Sequence, residues 1–120
     1  MKYKTFNYKD YKNCWFEVGN YLNPKQSMYI KIVNKNEGDI ADVTVNMADY
    51  FYSPDTAIIK NYSENSGMTN FLIDLDIIDF IYSKRPCNMY ATKNETIDYC
   101  QINIDELKKY SKVFDYEFGY

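Results

Sequence analysis

The sequence predicts an α+β fold: a mainly antiparallel sheet of five to six strands, one short helix packed on it, and a second short helix near the C-terminus. Three observations lead there. Met28 to Met47 reads as two alternating apolar runs around a polar loop that contains Gly38, the pattern of an antiparallel hairpin. Asn13 to Leu22 and Ile97 to Ile104 alternate with the same two-residue period, which gives a sheet one wet face. Met68, Phe71, Leu72 and Leu75 instead fall at i, i+3, i+4 and i+7, one apolar stripe of a helix. A chain of 120 residues fits one domain, expected to span residues 1–120, and folding at that size can bury about two thirds of the unfolded surface.

In chain order, Lys2 to Tyr8 reads as an edge strand with Lys4, Phe6 and Tyr8 on one side. Asn13 to Leu22 follows, its Cys14, Phe16 and Val18 facing one way, with Gly19 marking a bulge or a close backbone approach. In the central hairpin Met28, Ile30 and Ile32 point to one face. In its return strand Ala41, Val43, Val45 and Met47 oppose Asp42, Thr44 and Asn46. Tyr50, Phe51 and Tyr52 then precede a Ser53-Pro54-Asp55 turn, where Pro54 ends regular pairing. Thr56 to Lys60 is a short strand. Asn65 or Ser66 is placed to cap the helix, which leaves Thr69, Asn70, Asp74 and Asp76 on its wetter side. Ile77 to Tyr82 fits either more helix or a strand, and a short helix followed by extended chain is the preferred reading. Ser83 to Pro86 reads as a loop, and Cys87 to Thr92 as a strand forming a second hairpin with Ile97 to Ile104. Asp105 can cap a last helix carrying Leu107, Tyr110 and Phe114, with Lys108, Lys109 and Lys112 toward its C-terminal end. The final FDYEFGY is a strand or a frayed tail.

The chemistry is defined as much by what is missing. The chain has no histidine, hence neither the commonest general base nor any Ser-His or Cys-His nucleophile pair. Its four glycines form no phosphate-cradling motif. Cys14, Cys87 and Cys100 are odd in number and lack CxxC spacing, so reduced thiols are expected rather than a zinc site or a disulfide framework. A net charge of −3 with a single arginine argues against direct nucleic-acid binding, because phosphate recognition needs clustered Lys and Arg. Asp74, Asp76 and Asp79 could chelate a hard cation, but no EF-hand frame accompanies them, so a solvated acidic face is preferred. No cofactor and no metal are expected. The longest apolar stretches fall short of a membrane span and no leader opens the chain, which points to the cytoplasm. Fourteen tyrosines supply stiff amphipathic contact area suited to a binding surface.

The run MYIKIVN, the Gly38 turn and Asp42-Val43-Thr44-Val45-Asn46 resemble an uncharacterised family of small proteins from bacterial conjugative elements and phages. Tyr62-Ser63-Glu64-Asn65 is similar to that family's Glu-Asn step into a helix, and IDYCQINIDEL to its closing strand and turn, so the resemblance covers about residues 28–107. It departs after Ile77, where DFIYSKRP replaces a small-residue segment. The resemblance implies a genomic setting and no activity. Together with the missing catalytic groups, it leads to an expected function: a non-catalytic, protein-binding inhibitor or accessory factor directed at a host defence effector, of the anti-CRISPR or anti-restriction type. Tyr50 and Tyr52 would be its anchors, and Asp74, Asp76 and Asp79 its electrostatic guides toward a nucleic-acid channel. The alternatives are a structural or regulatory module of the mobile element, such as a homodimer joined at a sheet edge, and a His-free metal-dependent enzyme.

Overall fold

The computed structural model describes residues 2–22, 27–47 and 53–117. Eight strands and two short α-helices among them give the expected α+β architecture, with the strands divided between two sheets. The larger sheet has five strands: β1 (Phe6–Tyr8), β2 (Tyr11–Asn20), β3 (Met28–Asn34) and β4 (Gly38–Asp42) in order, plus β8 (Ser111–Phe114) beside β2. All its pairings are antiparallel except β2 with β8. The smaller sheet is β5 (Thr56–Asn61), β7 (Thr96–Ile102) and β6 (Ile78–Pro86), with β7 central.

The alternation in β2 and β3 does what it predicts. Cys14, Phe16 and Val18 stack against Met28, Ile30 and Ile32 in the core, all at most 1% exposed. Ala57, Ile59, Cys100 and Ile102 bring the smaller sheet into the same core, and Met68 and Leu72 of α1 (Met68–Asp74) close it. Phe71 of α1 reaches the larger sheet through ring contacts with Phe6 and Tyr8 at 5.6 and 5.0 Å.

The return strand of the central hairpin departs from its expected face. β4 carries a bulge between the Ile32 and Val33 pairings and ends at Asp42. Residues 43–45 then cross between the sheets: Val43 N–H donates to Ile30 O at 2.9 Å, while Val45 N–H donates to Ile58 O at 3.0 Å. Thr44, expected on the wet side, is therefore buried, and its hydroxyl accepts from Ile30 N–H at 3.1 Å. The side chain takes the place of a ladder carbonyl the crossing chain no longer offers.

Five further expectations change. Ser83 to Pro86 is strand rather than loop and Cys87 to Thr92 is turn rather than strand, because β6 runs unbroken to Pro86 opposite Thr96 while two bulges absorb its irregular alternation. Gly67, not Asn65 or Ser66, occupies the N-cap of α1, and the Asn61 carboxamide accepts from Thr69 N–H at 3.0 Å instead. Thr69 is buried rather than wet, since it faces Asp98. Asn103, not Asp105, caps α2 (Ile104–Lys109), accepting from Glu106 N–H at 3.2 Å. The C-terminal tail is tied down through residue 117, where Glu117 and the Asn20 carboxamide exchange two hydrogen bonds.

Candidate protein-docking surface

The extended segment after α1 builds an exposed surface on which two aromatic rings touch. α1 ends in a Schellman motif: Ile77 N–H donates to Leu72 O, and Asp76 N–H to Ile73 O, both at 2.9 Å. Asp76 holds the left-handed position that motif requires, with φ of 62°. The reversal launches β6 along β7, where Phe80 lies opposite Gln101 and Ile81 opposite Cys100. Ile81 packs on the core, so Phe80 takes the outer face.

On that face Phe80 and Tyr82 meet edge-on at 5.0 Å, and Tyr82 tilts onto Tyr99 at 5.3 Å. The Tyr82 hydroxyl donates to Gln101 Oε1 at 2.8 Å, which fixes the ring. Phe80 and Tyr82 remain 58% and 50% exposed. Such large apolar exposure in two touching rings is the unusual feature, since isolated exposed apolar residues are ordinary. Farther along, a groove of about 490 Å³ opens between Met47, Pro86, Met89 and Ile97.

Asp74, Asp76 and Asp79 stand at the Phe80 end of this surface, all three exposed. They belong to three settings rather than one helix face: the last residue of α1, the reversal, and the second residue of β6. Among the described residues none of them makes an ion pair, and no group of three acidic, cysteine or histidine side chains could hold a metal ion. Two of them are poor local choices. Asp74 places a negative charge at a helix C-terminus that carries no basic residue, and Asp76 sits where glycine is favoured. Tyr50 and Tyr52, the expected anchors, lie outside the described residues.

An ion pair between half-exposed Lys84 and buried Asp98 holds the strand from behind. Asp98 on β7 is fully buried; its Oδ2 accepts from Thr69 Oγ1 at 2.6 Å and from Lys84 Nζ at 2.9 Å, while its Oδ1 has no hydrogen-bond partner. These bonds join α1, β7 and β6 at one point. Beside them, burial first and the Asp98 charge second push the Cys100 thiol up to about 12, so it stays protonated and unreactive at neutral pH.

Phe80 and Tyr82 were missed in sequence because Ile77 to Tyr82 fits both periods. Their alternation with Asp79 and Ile81 was the available signal. Among the described residues, no helix is long and apolar enough to cross a membrane. Set against known proteins, the chain matches no family model, no curated protein and no solved structure.

Proposed function

We propose that this protein acts by contact, docking on a basic surface of another protein through the outer face of the β5-β7-β6 sheet. The observation that carries the reading is the exposed Phe80–Tyr82 ring pair flanked by exposed Asp74, Asp76 and Asp79. Aromatic anchors at the centre of a contact with charges at its rim is how interfaces distribute affinity and steering. Tyr82 and Phe80 take the anchoring role in this reading, with Tyr50 and Tyr52 as further anchors. The resemblance to proteins of mobile elements and phages supplies the partner class: a host defence effector whose nucleic-acid channel is basic, inhibited by occupation.

The test is inhibition and capture of purified restriction or CRISPR effectors by the full chain. The expected result is binding that Phe80→Ala and Tyr82→Ala each weaken by about 30-fold or more, the loss of a hot-spot residue worth about 2 kcal/mol. Replacing the three aspartates by asparagine should slow association and remove most of its salt dependence. Binding unchanged by all of these, and by Tyr50→Ala with Tyr52→Ala, refutes the surface. A second reading rests on β6, which pairs only with β7 among the described residues and so has one open edge. A stable homodimer in light scattering that binds no effector would favour a structural module of the mobile element.

A further inference from the structure

Gly19 lies inside β2, where glycine weakens a strand, and its backbone is not in the left-handed region that would call for it. What calls for it is Tyr29, its register partner on β3. A Cβ at position 19 would come within 2.7 Å of the Tyr29 ring, so the absent side chain is the seat of that ring. Tyr21 meets Tyr29 edge-on, centroids 5.7 Å apart and planes at 63°. The Tyr21 hydroxyl is held at 2.9 Å from Thr44 Oγ1, the same hydroxyl that ends the β3 ladder. Both rings are thereby fixed before any ligand arrives.

The two rings line a pocket of about 310 Å³ together with Lys31, Asp39 and Asp42. Lys31 is engaged within the protein, 3.1 Å from Asp39 and 3.9 Å from Glu17. The Asp42 carboxylate makes no ion pair among the described residues. One lysine among three carboxylates leaves the neighbourhood negative. Two angled aromatic faces with an anionic rim attract a cation that sheds its water easily, through the ring quadrupoles and the carboxylates together.

We propose that this pocket binds a weakly hydrated organic monocation, one with an alkylammonium or guanidinium head. The site lies on the other sheet from the docking surface and does not depend on it.

Amide and side-chain NMR shifts of the full chain, titrated at constant ionic strength, test this with choline, N-acetylarginine amide and the neutral choline isostere 3,3-dimethylbutanol. Saturable shifts centred on Tyr21, Tyr29 and Asp42 are expected for at least one cation. Preference for choline assigns a free ammonium compound, and preference for the arginine amide assigns a protein side chain. The neutral isostere should bind at least about ten-fold more weakly. Gly19→Ala, which displaces the Tyr29 ring, and Asp42→Asn, an exposed change that leaves the fold intact, should each weaken binding about ten-fold or more. No saturable shift with either cation, equal binding of the neutral isostere, or undiminished binding by Asp42→Asn would overturn the assignment.

Discussion

Asp76 shows what a single residue can reveal. Its φ of 62° closes the Schellman motif that turns α1 into β6, a position where an L side chain is strained and glycine is not. Replacing Asp76 by glycine should therefore stabilise the protein by roughly 0.5–1 kcal/mol, raising Tm by about 2–5 °C, as thermal denaturation would report. The same change should weaken partner binding if the carboxylate guides association. A gain in stability with a loss of binding would identify Asp76 as a residue kept for its charge; a loss of stability would show that the aspartate side chain supports the turn. The carboxylate was visible in the sequence, but its backbone role was not, because a left-handed aspartate has no signature apart from the reversal it completes.

Between β5 and α1, Lys60 and Glu64 define a local electrostatic device. Lys60 Nζ lies 2.6 Å from Glu64 Oε2, four residues on. The hydrogen bond from Lys60, ahead of backbone and Ser63 hydrogen bonds, lowers the Glu64 carboxyl from 4.5 to about 2. A carboxyl depressed on folding contributes stability that is present above its unfolded value and is lost as pH falls through the folded one. The window is thus between about 4.5 and about 2. The pair is solvent-exposed, so its contribution is small and screened by salt. A carboxyl titration by NMR at low ionic strength should place Glu64 near 2, and Lys60→Met should return it toward the ordinary range. An unchanged midpoint in Lys60→Met would assign the shift to the backbone instead. The i to i+4 spacing of the pair is not that of a helix here: the segment is a strand end followed by a 3-10 turn, Ser63–Asn65, so the pair was not legible in the sequence.

At the scale of the whole molecule, the decisive residues are the three that cross between sheets. Thr44 has its hydroxyl between Ile30 N–H and the Tyr21 hydroxyl, and its backbone bridges Ile59. Thr44→Val keeps the shape, removes the hydroxyl and leaves a buried N–H without its acceptor. The expected cost is about 1–3 kcal/mol, measured by denaturant unfolding at unchanged m-value. Unfolding should remain one transition, because Val43, Ile59, Ile32 and Cys100 share one core. Two separated transitions in the variant would mean that this crossing alone couples the sheets. Loss of the hydroxyl should also free the Tyr21 ring and weaken cation binding at the Tyr21–Tyr29 pocket, linking fold and site through one atom.

The sequence alone determined the class of fold and its first layer. Period-two runs around Phe16 and Ile30, and the helical stripe through Met68 and Leu72, are local patterns that specify which face each element buries. It also determined the chemistry on hand, since the absence of histidine and of phosphate loops is a matter of composition. Tertiary structure decided how the eight strands of the described residues divide into two sheets, because the switch at 43–45 depends on hydrogen bonds to Ile30 and Ile58, residues brought together only by folding. It decided that β6 continues through Pro86, since the strand is held by Asp98 and Thr69 from elements distant in the chain. The exposed rings at Phe80 and Tyr82 and the seat that Gly19 makes for Tyr29 are of the same kind. Pattern within one segment reports which side is apolar; whether that side is covered is a property of its neighbours in space.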